Sequence, residues 1–137
     1  MIVGAVAVGV WGRPRATADI DVTILVDEAG LEEIAREAQV RLTATGVVVG
    51  AMRPRDSHEE RAIQRRRALA IEGHRLWFVA PDDLILMKLK AGRPRDFEDA
   101  VGVLVAQRQA LDEGYMADWA RRLTIADELA YVLRESE

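Results

Sequence analysis

The sequence predicts a mixed α/β or α+β fold, in which a small mixed β-sheet is flanked by helices and followed by a helical C-terminal part. Segments with the apolar pattern of strands come early in the chain, and segments with the spacing of amphipathic helices come late. The chain has 137 residues, of which 50% are hydrophobic and 31% are charged, an ordinary balance for one globular domain. We expect a single domain over 1–137, with residues 1–80 forming the sheet and residues 81–137 forming the helical part.

The first elements begin at the start of the sequence. Met1 to Val3 is predicted to be a strand, Gly4-Ala5 a tight turn, and the segment from Ala5 to Trp11 a short helix that Gly12 ends. An extended segment then leads to a strand with apolar alternation from Asp19 to Val26.

The middle of the chain predicts one helix, one strand, a further helix and a hairpin. Ser57 followed by Glu60 has the spacing of a capping box, which places a helix start at this point. The elements, in order, are a helix from Asp27 or Glu28 that Gly46 ends, a strand at Val47-Val48-Val49, a loop from Ala51 to Ser57, a helix from about His58 to Arg67, and two short strands carrying Leu69, Ile71, Leu76 and Phe78, joined across Glu72-Gly73-His74.

Four helices are predicted after residue 80. Proline at a first helical position and an acidic N-cap are the start signals, and glycine is the stop signal. The helices run from Pro81 toward Gly92, from Asp96 as N-cap, from about Asp112, and from Thr124.

Two carboxylates at the head of the second strand form the first candidate site. Asp19 and Asp21 share one face of a strand, with about 6.5–7 Å between them along the backbone. This spacing suits the binding of one divalent cation, although the pair could also be a charged strand edge. Arg15 and Thr17 precede the pair, together with Arg13 in an extended loop. The arginines could contact phosphate or neutralise the two carboxylates.

A second group of charges lies between Lys88 and Asp99. Four cations, including Lys88 and Arg93, gather between the end of one predicted helix and the start of the next. Lysine suits contact with a triphosphate, and a helix N-terminus favours anions. The alternative is a solvated connection in which Asp96 caps its helix.

A third group of charges is basic. Seven arginines fall between Arg53 and Arg75, and four of them, at 61, 65, 66 and 67, are placed on or beside one predicted helix. This run is either an exposed, partly ion-paired helix face or an RNA contact, in which case affinity should fall steeply with salt.

Composition excludes several classes of site. The chain has no cysteine and two histidines, so neither a disulfide framework nor a thiolate or histidine zinc site is available. A metal would have to be held by oxygen, which favours Mg²⁺ or Mn²⁺. No apolar run approaches the roughly 20 residues of a membrane helix, and the apolar start lacks a basic region, so we expect a cytoplasmic protein without membrane contact.

Two blocks of sequence carry a family resemblance. The first joins Val3-Gly4-Ala5-Val6-Ala7, Gly12-Arg13-Pro14-Arg15-Ala16-Thr17 and Asp19-Ile20-Asp21, and the second joins Pro81 to Leu89 with Gly92 to Asp99. In this order and separation they resemble the AbiEii-type, MenT-like family of minimal nucleotidyltransferases, which are relatives of the polymerase-β superfamily. The resemblance implies a nucleotidyltransferase-like fold that binds Mg²⁺ and a nucleoside triphosphate.

The resemblance also implies roles for particular residues. Asp19 and Asp21 match the paired metal ligands, and Gly4 matches the first glycine of the turn that approaches the phosphates. Ala5 takes the place of the second glycine of that turn. In the second block Lys88 matches the lysine near the triphosphate, Asp96 the acid, and Arg93 its basic partner. We therefore expect catalytic roles for Asp19, Asp21, Lys88 and Asp96, and nucleotide contacts from Gly4, Ala5, Arg15, Thr17, Lys88 and Arg93.

One family feature is missing from the sequence. Such folds carry a third carboxylate on the strand that follows the helix, where this chain has Val47-Val48-Val49-Gly50-Ala51-Met52. Asp56, in the predicted loop beyond, is the nearest acid. In a two-metal mechanism the third carboxylate helps to position the attacking hydroxyl.

These observations predict an enzyme that transfers NMP from an NTP to a hydroxyl of an RNA or a protein. Some members of the resembled family are toxins that add nucleotides to tRNA ends under the control of a protein antitoxin, so both tRNA and an antitoxin are expected partners. The alternative is a catalytically silent nucleotide-binding or partner-binding module on the same fold.

Overall fold

The computed structural model of the protein describes residues 1–25, 27, 29, 30, 32, 33 and 48–136. The helix predicted from Asp27 or Glu28 to Gly46, and the predicted strand residue Val47, fall largely outside these described residues. The chain divides into two compact units, one formed by Met1–Ala7 and Arg15–Val79, the other by Val8–Pro14 and Ala80–Glu137. In the described part of the chain, no helix has both the length and the apolar character needed to cross a membrane.

The first unit contains a mixed sheet of five described strands, as the predicted fold class requires. Its order is β3-β2-β1-β5-β4, in which β2–β3 and β1–β5 are parallel and β1–β2 and β4–β5 are antiparallel. The strands are β1 (Ile2–Val3), β2 (Asp19–Thr23), β3 (Val48–Met52), β4 (Arg67–Ile71) and β5 (His74–Phe78).

The register of the sheet decides which side chains share a face. Ile2 pairs with both Val22 and Phe78, so these three residues lie on one face. Side chains alternate along a strand, so Asp21, Gly50 and Trp77 lie on the opposite face. We call this second face the carboxylate face; its positions are Val3, Asp19, Asp21, Thr23, Val48, Gly50, Met52, Ala68, Ala70, Arg75 and Trp77.

Helix α1 (Gly4–Trp11) follows β1 directly, and α2 (Ser57–Arg65) precedes β4. The predicted capping box at Ser57 is wrong by one residue. Asp56 is the N-cap, and its Oδ1 accepts a hydrogen bond of 2.9 Å from the backbone N–H of Glu59. α2 ends two residues before the predicted Arg67, because Arg67 pairs with Phe78 as the first residue of β4.

The predicted hairpin is present as β4 and β5. Its turn consists of Glu72 and Gly73, with φ of +49° and +80°, and His74 is the first residue of β5. Two consecutive residues with positive φ match the twist of the flanking strands, which favours a two-residue connection.

The second unit is helical, as predicted for the C-terminal part. It contains α3 (Pro81–Ala91), α4 (Pro94–Gln107), a 3₁₀ turn (Arg108–Ala110), α5 (Glu113–Arg122) and α6 (Ala126–Glu135). Its core is apolar, with fully buried side chains that include Leu84, Ile85, Leu86, Leu89, Val103, Met116 and Val132.

The prediction that Asp96 is the N-cap of its helix is wrong. Arg93 occupies the N-cap, Pro94 opens α4, and Asp96 is therefore the third helical residue. Proline favours the first helical position because its φ is already helical and it has no N–H to satisfy. The start of α4 is thus three residues earlier than predicted, which frees the carboxylate of Asp96 for another partner.

Candidate active site

The two predicted metal ligands lie on the carboxylate face of β2. Asp19 is exposed and Asp21 is half-buried. The carboxylates of Asp19 and Asp21 make no hydrogen bond or ion pair with the described residues. Carboxylate oxygens are the ligands that the predicted metal site requires.

Asp21 lies between Gly50 on the neighbouring strand β3 and Gly4, the first residue of α1. A Cβ at Gly4 would be 2.3 Å from Oδ2 of Asp21, and a Cβ at Gly50 would be 3.0 Å from Oδ1. Gly4 therefore needs glycine both because of this collision and because its φ is +63°, whereas a Cβ at Gly50 would make only a tight contact with Asp21. The carboxylate of Asp21 thus sits against the backbone at the first turn of α1.

This arrangement brings a carboxylate to a helix N-terminus. Gly4 and Ala5 are the first two residues of α1, where backbone N–H groups have no partner within the helix and the helix dipole favours anions. The side chain of Ala5 is buried. An anion at this end would therefore be bound by the backbone, close to the carboxylate of Asp21.

The register of β2 and β3 places no carboxylate of β3 beside Asp19 or Asp21. The residues of β3 beside Asp19, Asp21 and Thr23 are Val48, Gly50 and Met52. The described residues contain no group of three or more acids or histidines able to hold a metal. Asp56 is the N-cap of α2 and does not belong to β3.

A two-carboxylate site still fits a magnesium ion that arrives with a nucleotide. Mg²⁺ is commonly bound by one or two carboxylates and by the phosphates of the substrate, and it retains several waters. Asp19 and Asp21 supply oxygen ligands of this kind, and the two glycines leave room around Asp21. The donor set therefore fits the ion, with part of its shell left to substrate and water.

Thr17 has a local role before β2. Its hydroxyl donates to the carbonyl oxygen of Asp19 at 3.2 Å and lies 3.4 Å from the N–H of the same residue. The hydroxyl therefore orders the entry of the chain into β2. Arg15, two residues earlier, is half-buried.

The second unit holds the other predicted residues in a buried ion cluster. The Nζ of Lys88 donates to Oδ1 of Asp96 at 2.9 Å and to Oδ2 of Asp99 at 2.8 Å. All three side chains are nearly buried. One ammonium therefore faces two carboxylates, and the cluster ties the end of α3 to the first turns of α4.

Asp99 is the residue that sequence reasoning missed. Asp96 and Asp99 are three positions apart and therefore project from the same side of α4. Once α4 is known to begin at Pro94, this spacing indicates that both carboxylates can reach one lysine. Arg93 is 82% exposed, and its Nε lies 3.9 Å from Oδ2 of Asp96 at the rim of the cluster.

The acids at the start of α3 have structural partners. Oδ1 of Asp82 accepts a bond of 2.7 Å from the backbone N–H of Asp112, and Oδ1 of Asp83 accepts one from the hydroxyl of Tyr115. Both carboxylates are buried. This part of the second sequence block therefore attaches α3 to the beginning of α5.

Comparisons with known proteins agree with this architecture. A crystal structure of an antigenic nucleotidyltransferase-like protein from Paracoccidioides brasiliensis is similar in fold, with a TM-score of 0.64 and 15% identity over 98% of this chain and 78% of that chain. At this identity the likeness shows the fold alone. No curated protein matches the sequence. A family model described as a nucleotidyltransferase of unknown function, DUF6036, matches residues 1–120, and the protein therefore belongs to this family.

Proposed function

We propose that this protein is a Mg²⁺-dependent nucleotidyltransferase that transfers NMP from an NTP to a hydroxyl of an RNA or a protein. The observation that carries the proposal is the position of Asp21, one of whose carboxylate oxygens would lie 2.3 Å from a Cβ at Gly4, the glycine that opens α1. A metal ligand and a backbone anion site are thereby adjacent within one unit. The family membership and the nucleotidyltransferase-like fold support the reaction class.

Each part of the first unit has a defined task in this proposal. Asp19 and Asp21 hold the ion, which when bound polarises the phosphate oxygens and offsets their charge. The N–H groups at the start of α1 bind the triphosphate, since a helix N-terminus favours phosphate. The acceptor oxygen bonds to the α-phosphorus while the bond from that phosphorus to the bridging oxygen breaks. Pyrophosphate leaves and the hydroxyl proton passes to water.

The predicted roles of Lys88, Arg93 and Asp96 rest on the AbiEii-type resemblance. In the structure the charge of Lys88 is already met by two carboxylates. We therefore assign Lys88 first to holding α3 against α4. Its contact with a triphosphate, and that of Arg93, remain predictions to be tested by the loss of NTP affinity in Lys88→Met and Arg93→Gln.

The direct test measures binding and transfer separately. Calorimetry with Mg²⁺ and each NTP should show about one bound nucleotide per chain, and binding should be lost in Asp21→Asn, which removes one metal ligand. Asp127→Asn removes the same charge from an exposed position on α6 and should bind normally. No binding of any NTP by the unmutated protein would overturn the proposal.

The second candidate function is a catalytically silent nucleotide-binding module. It is favoured by Gly50, which stands beside Asp21 on the strand where a third carboxylate would be expected. Incubation with α-labelled NTPs, Mg²⁺ and either total RNA or lysate protein distinguishes the two functions. Label transfer that Asp21→Asn abolishes supports the enzyme, whereas NTP binding without transfer supports the silent module.

A toxin role is a further part of the proposal and rests on the AbiEii-type resemblance. A toxin that modifies tRNA under the control of an antitoxin should arrest the growth of bacteria that express it. The same expression of Asp21→Asn should leave growth unchanged. Equal growth with the two proteins would remove the toxin role and leave the transfer reaction to be judged by its own assay.

A further inference from the structure

The hairpin of β4 and β5 presents an exposed aromatic side chain on the carboxylate face. Trp77 is 41% exposed, and its partner across the strand pair is Ala68. Two residues before Trp77 on the same strand, Arg75 is also exposed and pairs with Ala70. Because alanine is short, the side chains of Trp77 and Arg75 stand above their neighbours. We call this surface the Trp77 platform: Ala68, Ala70, Arg75 and Trp77, with Arg66 beside them.

Arg66 adds a cation that is held in place. Its guanidinium carbon lies 4.6 Å from the centroid of the Trp77 ring, in the geometry of a cation–π contact. Its Nη1 also donates a hydrogen bond of 2.7 Å to the carbonyl oxygen of Ile63, in the last turn of α2. The guanidinium is therefore fixed over one face of the indole, and an unpaired base would stack on the part of the ring that is still exposed. A fixed guanidinium also has less conformational entropy to lose when a ligand binds.

The charge of Arg66 affects its surroundings. The amino group of Met1 donates to the carbonyl oxygen of Thr23 at 3.0 Å. Its pKa is lowered from the usual 8.0, mainly because burial removes the group from water and further because Arg66 repels its positive charge. The platform itself carries the two cations Arg66 and Arg75, within a segment that has seven arginines and four acids between Arg53 and Arg75.

This combination fits one class of ligand. An exposed indole stacks on any nucleobase, and neighbouring guanidinium groups contact the phosphates, which is how proteins bind unpaired nucleic acid strands. A base must be unpaired to lie flat on an indole. The cations of the platform favour a polyanion.

The position of the Trp77 platform relative to the carboxylates of Asp19 and Asp21 follows from the strand order of the sheet. Trp77 and Asp21 lie on the same face of one sheet and are separated in the strand order by β1. Two strand spacings across and two residues along place their Cα atoms about 12 Å apart. A single strand lying over the platform could therefore present a nearby hydroxyl to the carboxylates.

We propose that the Trp77 platform binds a single-stranded segment of the acceptor RNA. This inference rests on the proposed function, because it selects RNA among the acceptors considered there. Trp77 stacks on one unpaired base, Arg75 contacts a phosphate of the same strand, and Arg66 holds the indole and adds positive charge. None of these residues is a metal ligand in the proposed mechanism.

Binding of a short fluorescein-labelled oligouridylate, followed by fluorescence anisotropy in EDTA without NTP, tests the platform. Trp77→Ala should raise Kd roughly 5- to 100-fold, the effect of losing one base stack, and Trp77→Phe should restore most of the affinity. Arg75→Gln should lower the slope of log K against log salt by about one. Arg67→Gln is the matched control, because it removes the same charge from the same hairpin on the opposite face.

Several outcomes would overturn the platform. These are unchanged binding in Trp77→Ala, equal losses in Arg67→Gln and Arg75→Gln, tighter binding of the corresponding DNA strand, and no binding by the unmutated protein. Circular dichroism and thermal unfolding of each variant verify that the fold is kept. Asp21→Asn should bind the oligonucleotide normally, so failure of RNA binding and failure of nucleotide transfer are distinguishable.

Discussion

Replacement of Gly4 by alanine is the sharpest test of the arrangement around Asp21. The new Cβ would lie 2.3 Å from Oδ2 of Asp21, whereas an ordinary contact requires at least 3.4 Å, so the carboxylate would have to move by about 1 Å. A misplacement of about 1 Å at a catalytic group can lower the rate roughly 100-fold. We therefore expect Gly4→Ala to reduce Mg²⁺-dependent NMP transfer by about this factor.

The backbone adds a separate effect, which a second glycine measures. The φ of Gly4 is +63°, and an alanine in this region lowers the free energy of unfolding by roughly 1–2 kcal/mol. Gly73 has a φ of +80°, and a Cβ added at this residue would have no heavy atom within 4 Å. Gly73→Ala therefore carries the same kind of backbone strain without the collision and serves as the matched control.

Urea unfolding and transfer of an α-labelled nucleotide should be measured on both variants. Both should lose about 1–2 kcal/mol of stability, and Gly4→Ala should lose somewhat more because Asp21 is displaced. Transfer should fall in Gly4→Ala alone. If Gly4→Ala transferred as well as Gly73→Ala, the position of the Asp21 carboxylate would not control the reaction, and the reasoning would be refuted.

Two further predictions concern the buried cluster and the missing carboxylate. Lys88→Met leaves Asp96 and Asp99 without their shared cation, and because these side chains are nearly buried we expect a loss of about 3–5 kcal/mol in urea unfolding; a loss below about 1 kcal/mol would show that the cluster is solvated. Val48 is 60% exposed and pairs with Asp19, so Val48→Asp adds a third carboxylate to this face and should tighten Mg²⁺ binding in calorimetry. Unchanged affinity in Val48→Asp would show that the new side chain does not reach the ion.

Local patterns were sufficient for most elements. Alternating apolar residues predicted β2, apolar residues on either side of Glu72-Gly73-His74 predicted the β4–β5 hairpin, and Pro81 with Gly92 bounded α3. These signals work because they depend on backbone dihedral angles within a few residues. Helix starts were harder to place, because two neighbouring start signals compete at each of two helices: Asp56 with Ser57, and Pro94 with Asp96. The surrounding packing selects between them.

The candidate site was predicted in part. Asp19 and Asp21 were expected on one face because the period of a strand is two, and the register bears this out. Asp99 was not expected as a partner of Lys88, because that contact depends on the true start of α4. The exposure of Trp77 could not be predicted from the sequence either, because the burial of a strand side chain depends on which other elements pack over it.

The sequence by itself determined a mixed α/β chain with a carboxylate pair on one strand face and no third acid on the strand that follows. The tertiary structure decided which strands flank β2, and therefore that Gly4 and Gly50 enclose Asp21, and that Trp77 shares its face. The physical reason is the separation in sequence between the residues that determine each property. The periodicity of a strand or helix is a property of neighbouring residues, whereas strand order, register and burial depend on contacts between residues distant in sequence.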